Sequence, residues 1–332
     1  MAHNTPLRAL PLQQRRNVQR SVLTERQLKE HGVPAGLIAD RSRNGGPWQQ
    51  LLPKVYLLHP GPPTNEQRLQ AALLYAGHSS SRVPAQRPAM VTGLAALALH
   101  RLSSVPPVGE LEVIDVLVPH QRRLRDAGQV RILRSQTLPN PDEIMGLACA
   151  PIPRALADAA AVLDDIDLVR DLLVEAVRSG RCVPSAVLRE LDAAGLLARP
   201  TIAEAMDAAV AAGRAVAEDH VYELVRAGRL PDPLWNVSLY RPDGTFLAAV
   251  DAYWPDQGVT LEIDVRAPGF GDEDWHEESR RREHLEGLGL CVLYVTPEKL
   301  RDAPELQAAV VHTALRISAD RPPAALVVAL PR

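Results

Sequence analysis

Cysteines and long apolar runs are scarce in this chain of 332 residues. Its three cysteines, Cys149, Cys182 and Cys291, are far apart and show neither a Cys-x-x-Cys motif nor the Cys/His spacing of a zinc site. We therefore expect buried thiols in a reducing cytoplasm. No apolar run approaches the roughly twenty residues of a membrane helix, and the N-terminus lacks the apolar core of a signal peptide. These absences predict a soluble, cytoplasmic protein without a membrane partner.

Nucleotide-binding and hydrolase motifs are also missing. The sequence contains no Walker loop, no Gly-x-Gly-x-x-Gly, no nucleophile elbow and no internal repeat. The length indicates two or three domains with substantial cores. Their function must therefore be sought in other patterns.

Charge is distributed unevenly along the chain. Residues 1–60 contain nine Lys and Arg against three acids, a net charge of +6, whereas the whole chain carries −3. A basic end on an acidic body indicates that this end has a polyanionic partner.

Three carboxylates, Asp251, Glu262 and Asp264, lie at the ends and on one face of two predicted strands in the C-terminal third. Alternation places Leu247, Ala249 and Asp251 on one face of the first strand. In the second strand, Val259 to Val265, the apolar residues oppose Thr260, Glu262 and Asp264. The Pro/Asp/Gly turn after Arg241 and a turn after Trp254 complete a three-strand meander. Carboxylates on adjacent strands suit Mg²⁺, which prefers oxygen ligands, although strand faces also carry ordinary solvated or paired charges.

A charged helix, an apolar strand and a last helix follow, so the predicted order is helix, three strands, helix, strand, helix. In this setting Glu218 to Ser318 resembles the restriction-endonuclease, or PD-(D/E)XK, fold, in particular the very-short-patch-repair-like proteins. Asp251 matches the first acid and Glu262 with Asp264 the second motif. His276 matches the motif histidine. The later helix pattern is matched by Arg281, Leu285 and Gly289.

The resemblance implies a metal-dependent endonuclease site. Asp251, Glu262 and Asp264 would be the Mg²⁺ ligands, and His276 would assist the chemistry. An acid on the preceding helix belongs to the pattern, with Glu218 as the match and Glu223 as the alternative. Val265 stands where the family has glycine, and the usual lysine is absent. A histidine on a charged helix is otherwise an ordinary surface residue.

The basic N-terminus predicts a winged helix-turn-helix. Thr24 is a candidate N-cap of a first helix that Gly32 ends, and Pro34 opens a second helix from Ala35 to about Asn44. The chain from Trp48 to Leu58 would then form a hairpin wing. The candidate DNA-contacting residues are Arg41, Arg43 and Asn44 on the second helix and Gln50 and Lys54 on the wing.

Val22 to Leu102 is similar to the N-terminal winged-helix domain of AbiEi-family antitoxins. The similarity is carried by Trp48 with the following Leu-Leu-Pro-Lys-Val-Tyr, by the Gln-Arg-Leu-Gln-Ala-Ala-Leu-Leu-Tyr-Ala-Gly segment after Thr64, and by the alanine-rich helix after Thr92. The resemblance implies binding of double-stranded promoter or operator DNA. A partner toxin and a homodimer both stay open.

Together these patterns predict an α/β protein with a winged helix-turn-helix, a helical middle domain and a restriction-endonuclease-like mixed sheet flanked by helices. The expected boundaries are 1–62 for the winged helix, 63–140 for its α/β extension, 141–217 for the helical linker and 218–332 for the nuclease-like domain. The expected function is DNA binding with Mg²⁺-dependent cleavage. The alternative is a non-enzymatic regulator of antitoxin type, in which a vestigial nuclease fold serves protein interaction.

Overall fold

The chain is a mixed α/β protein with two compact units, Met1–Leu163 and Asp164–Arg332. A computed structural model describes residues 21–77, 89–264, 272–320 and 327–332, with the backbone alone for residues 272–278. Within these ranges the strands form three sheets, so the predicted α/β class is confirmed. No helix of the described residues combines the length and the apolar character needed to cross a bilayer.

The first unit begins with two short helices and a small sheet. Its elements are β1 (Val22–Thr24), α1 (Glu25–Glu30), α2 (Ala35–Arg41), β2 (Gln49–Leu52) and β3 (Val55–Leu57). The strands pair antiparallel in the order β1-β3-β2. The two helices pack on this sheet through a buried cluster, which consists of Leu28, Val33, Ile38, Trp48 and Tyr56.

Thr24 caps α1, as its position in the sequence predicts. Its hydroxyl accepts from the Gln27 backbone N–H at 3.1 Å, and the Gln27 side chain accepts from the Thr24 N–H at 2.9 Å. This reciprocal pair satisfies two backbone donors that the first helical turn leaves without partners. We expect Thr24→Ala to lower the unfolding free energy of the first unit by about 1 kcal/mol. Urea denaturation would measure the loss, and Thr24→Ser should largely avoid it.

The second helix is shorter than predicted. It ends at Arg41 instead of continuing to about Asn44, so Arg43 and Asn44 lie in the turn that follows. The Trp48 N–H donates to the Arg41 carbonyl at 3.0 Å, which folds the chain back on the helix end. A side chain on Gly46 would overlap the Arg41 carbonyl oxygen, so this return requires glycine.

The rest of the first unit is a five-stranded mixed sheet with three helices. Its elements are α3 (Asn65–Gly77), β4 (Met90–Thr92), α4 (Gly93–Leu99), β5 (Ile114–Pro119), β6 (Val130–Ser135), β7 (Asp142–Ile144), β8 (Leu147–Cys149) and α5 (Ile152–Val162). The order is β6-β5-β4-β8-β7, in which β5/β6 and β4/β8 are parallel. A 3₁₀ turn, Val108–Glu110, precedes β5.

The second unit places three helices before a five-stranded sheet. Its elements are α6 (Ile166–Arg178), α7 (Pro184–Ala193), α8 (Pro200–Ala227), β9 (Leu234–Tyr240), β10 (Phe246–Trp254), β11 (Val259–Ile263), α9 (Asp272–Gly287), β12 (Cys291–Val295), α10 (Pro297–Asp302), α11 (Pro304–Ala319) and β13 (Val328–Pro331). A 3₁₀ turn, Leu196–Ala198, links α7 to α8. The predicted order of helix, three-strand meander, helix and strand is present, but the predicted last helix is divided into α10 and α11, and β13, which was not predicted, follows and pairs with β9.

The sheet of the second unit carries a core on each face. The strand order is β12-β11-β10-β9-β13, and β12 runs parallel to β11 after the α9 crossover while the other neighbours are antiparallel. Residues of α8 and α11 share one buried cluster with Leu261 and Ile263 of β11. Leu285 of α9 shares the other with Val250 and Tyr253 of β10. Helices α8 and α9 therefore cover opposite faces.

Helix α8 makes a close contact with α6 at Gly213. A Cβ on this glycine would lie 2.6 Å from Cγ1 of Val177, which is shorter than any carbon–carbon contact tolerates. The absence of a side chain therefore sets the distance between the two helices. Arg214, the next residue, is directed to the sheet.

Candidate functional site

Asp251 and Glu262, two of the predicted metal ligands, lie where the pairing of β10 with β11 ends. The register joins Trp254 to Val259, Tyr253 to Thr260 and Ala252 to Leu261. Continuing it would place Asp251 opposite Glu262, but the ladder ends before this pair. The Asp251 carboxylate accepts from the Ile263 backbone N–H at 2.7 Å. A side-chain oxygen thus bonds to the peptide that follows Glu262, so the Asp251 carboxylate lies beside β11.

Strand β10 does not follow the simple alternation that the sequence predicts. Leu247 and Val250 belong to the same core cluster as Tyr253, whereas Ala252 belongs to the cluster on the other face. Val250 and Tyr253 are an odd number of residues apart, so the alternation breaks between them. Leu247 and Ala248 are adjacent yet also share a cluster, where the pairing with β9 shifts register between Phe246 and Ala248, so the prediction that Leu247, Ala249 and Asp251 share one face is wrong.

Strand β11 keeps the alternation. Val259, Leu261 and Ile263 all enter the cluster beneath α8, as predicted, and Val265, the fourth apolar residue of the predicted strand, lies outside the described residues. Glu262 points to the opposite face and is paired in register with Tyr294 of β12. Its side chain is only 10% exposed. Asp264, half-buried, follows the strand, and its backbone N–H donates to the Val295 carbonyl at 2.9 Å.

Each of the two buried acids forms an ion pair with an arginine from a flanking helix. Arg214 of α8 donates to Asp251, and Arg281 of α9 donates to Glu262. The acids are reached from opposite faces of the sheet, because α8 and α9 cover opposite faces. Their negative charges are therefore compensated within the second unit.

Arg214 also connects Asp251 to the helical acid. Its Nε lies 3.2 Å from Oε1 of Glu218, one turn further along α8. Glu223, the alternative, is exposed on the same helix. Glu218 is thus the acid that the structure joins to Asp251. Sequence inspection missed Arg214, although its spacing of four from Glu218 is a recognisable helical ion-pair signal.

The contacts of α9 and of the turn after it explain the predicted motif of Arg281, Leu285 and Gly289. Arg281 binds Glu262, Leu285 is fully buried against the sheet, and Gly289 adopts φ +88° in the turn to β12. The His276 side chain lies outside the described residues. In the part of the chain that is described, no three or more Asp, Glu, His or Cys side chains are grouped as a metal centre. The donor chemistry of the carboxylates suits Mg²⁺, but arginines hold them here.

The candidate DNA-contacting residues are distributed over the end of α2, the turn that follows it and the hairpin. Arg41 stacks on the Trp48 ring at 5.1 Å, and Arg43 pairs with Asp40 at 2.8 Å. The remaining three, Asn44, Gln50 and Lys54, are exposed. Lys54 adopts φ +64° in the two-residue turn between β2 and β3, so its side chain projects from the hairpin end.

No family model matches the sequence, and a search of curated proteins found no match.

Proposed function

We propose that the chain binds double-stranded DNA through a winged helix-turn-helix and hydrolyses a phosphodiester at a restriction-endonuclease-like site in the second unit. One observation carries the catalytic part: the pairing of β10 with β11 ends just before Asp251 and Glu262, two buried acids on neighbouring strands. Carboxylates on neighbouring strands supply the oxygen ligands that Mg²⁺ prefers.

In this proposal each acid has a separate role. Asp251 and Glu262 would hold the cation, and Asp264 would complete its ligand shell or position a water molecule. Glu218 would brace that water from α8, and His276 would orient the nucleophile or protonate the leaving oxygen. A bound Mg²⁺ would supply a Lewis acid and an activated water at neutral pH. With no lysine in the motif, the remaining proton transfers fall to His276.

Supercoiled plasmid is the substrate that tests this proposal. The wild-type chain should nick it with Mg²⁺ and leave it intact with EDTA. Asp251→Asn should lose the activity together with the wild-type response to Mg²⁺. Wild-type protein that folds and binds DNA yet leaves plasmid intact over a range of Mg²⁺ and Mn²⁺ concentrations would contradict the nuclease proposal.

The DNA-binding part is supported by the basic N-terminal segment and by the exposed cations of the turn and hairpin. Each Lys or Arg that contacts a phosphate contributes about 0.9 to the slope of log affinity against log salt. We expect Arg43→Ala with Lys54→Ala to lower that slope by about 2. Fluorescence anisotropy at several salt concentrations would measure it.

Arg26→Ala is the matched control, because Arg26 lies on α1 and pairs with Glu30 at 3.5 Å. It should leave the slope unchanged. An unchanged slope in the double variant would mean that another surface contacts the DNA.

The ion pairs favour a second function, a transcriptional regulator of antitoxin type. Arg214 and Arg281 compensate the buried acids without a metal, so the second unit can be stable as a binding domain. Its partner would then be a toxin or a second copy of the chain. DNA binding without plasmid nicking would support this function.

A further inference from the structure

The loop between β5 and β6 exposes cations of the first unit that have no part in the proposed function. Residues 120–129 contain Arg122, Arg123 and Arg125 but a single acid, Asp126. Arg123 and Arg125 are exposed, and neither side chain forms an ion pair or a hydrogen bond with the described residues. The Asp126 carboxylate is engaged, because it accepts from the Ile132 backbone N–H at 2.8 Å. The loop therefore presents positive charge to solvent.

Hydrogen bonds from neighbouring elements hold the loop in place. The guanidinium of Arg134 on β6 donates through Nε to the Arg122 carbonyl at 3.1 Å and through Nη2 to the Leu124 carbonyl. The Tyr75 hydroxyl of α3 donates to the Arg125 carbonyl at 2.8 Å. All of these bonds end on backbone oxygens, so they order the loop without involving the two exposed arginine side chains. A ligand that binds these side chains does not have to order the loop, which keeps the entropic cost of binding low.

The loop also adjoins the hairpin that carries candidate DNA-contacting residues. A Cβ built on Gly128 would lie 3.4 Å from Cδ2 of Leu52 on β2, so the end of the loop packs against this strand. Lys54, which is exposed, follows in the turn of the same hairpin. Helix α3, which holds the loop through Tyr75, packs against β2 and β3 as well. Loop and hairpin are therefore adjoining parts of the first unit, and both carry exposed cations.

We propose that Arg123 and Arg125 bind phosphates of the DNA duplex bound by the first unit. This inference rests on the proposed DNA binding and extends it beyond the turn and the hairpin. Duplex DNA suits both the loop and the hairpin, because it presents a continuous array of negative charge. A guanidinium matches phosphate oxygens through its planar array of donors. Phosphate contacts position a protein without reading base sequence, so the loop adds affinity and orientation.

The test measures the DNA affinity of the full chain at several salt concentrations by fluorescence anisotropy. Each phosphate contact contributes about 0.9 to the slope of log affinity against log salt, so Arg123→Ala with Arg125→Ala should lower the slope by about 2. Arg123→Lys with Arg125→Lys should keep the slope near the wild-type value, since lysine retains the charge. An unchanged slope in the alanine variant would overturn the inference.

Arg189→Ala with Arg199→Ala is the matched control. Both arginines are exposed in the second unit, on α7 and directly before α8. This variant has the same net charge as the alanine variant of the loop but should keep the wild-type slope. An equal fall in both variants would mean that net charge rather than contact sets the slope, and would overturn the inference. With a duplex of unrelated sequence the loop variant should show the same loss, because phosphates are common to all sequences.

A combined variant shows whether the loop and the hairpin bind the same duplex. Adding Arg43→Ala and Lys54→Ala to the alanine variant of the loop should lower the slope by about 4 in total. A lower slope for the Arg43/Lys54 variant with none for the loop variant would overturn this inference and leave the proposed DNA binding intact. The reverse result would keep the loop contacts and remove the hairpin from the proposed function. Absence of DNA binding by folded wild-type protein would overturn both.

Discussion

Glu262→Gln is expected to lower the Mg²⁺-dependent nicking rate by roughly 10²- to 10³-fold, the loss typical of removing one electrostatic contributor to a transition state. Glutamine keeps the size of glutamate but has no negative charge, so it is a poor ligand for a hard cation. The side chain would remain between β11 and α9, where Arg281 contacts it. Initial nicking rates on supercoiled plasmid would measure the loss.

Glu286→Gln is the matched control for Glu262→Gln. Glu286 also pairs with an α9 arginine, Arg282, but its side chain is 45% exposed. Its substitution should leave nicking unchanged. Circular dichroism must show that both variants keep the wild-type fold. Nicking at the wild-type rate by a folded Glu262→Gln protein would assign catalysis to other residues.

Trp254→Ala should lower the unfolding free energy of the second unit by about 3–5 kcal/mol. Trp254 ends β10 and is 1% exposed in the core cluster beneath α8. Its indole N–H donates to the Pro231 carbonyl at 2.7 Å. Alanine would leave a large cavity and a carbonyl without its donor. Urea denaturation followed by far-UV circular dichroism would measure the loss.

Trp254→Phe separates the two contributions. It keeps most of the apolar volume but removes the indole donor, so we expect a smaller loss, on the order of 1–2 kcal/mol. Leu306→Ala is the surface control, because Leu306 is 62% exposed on α11. It should change stability little. A loss below about 1 kcal/mol for Trp254→Ala would mean that the sheet tolerates repacking there.

The parts that sequence reasoning predicts correctly depend on local pattern. The Thr24 cap and strand β11 follow from residues within a few positions of each other, because capping and strand alternation are short-range effects. The order of elements in the second unit follows from such patterns in succession. These predictions need no knowledge of which elements meet in space.

The predictions that fail depend on contacts with other parts of the chain. Helix α2 ends early because the chain returns from Trp48 to the Arg41 carbonyl. The alternation in β10 breaks where its pairing with the neighbouring strand β9 shifts register between Phe246 and Ala248. Arg214 reaches an acid 37 positions away, which no pattern of adjacent residues indicates. The ion pair between Arg214 and Asp251 therefore appears only in the folded chain.

Gly213 links the shape of the helical layer to the chemistry of the sheet. The glycine fixes how closely α8 approaches Val177, and the next residue places a guanidinium on Asp251. A bulkier residue at 213 would move α8 as a rigid rod and carry Arg214 with it. Packing and charge at these two positions cannot vary independently, so a substitution made between two helices would also change the ion pair that compensates a buried acid of the sheet.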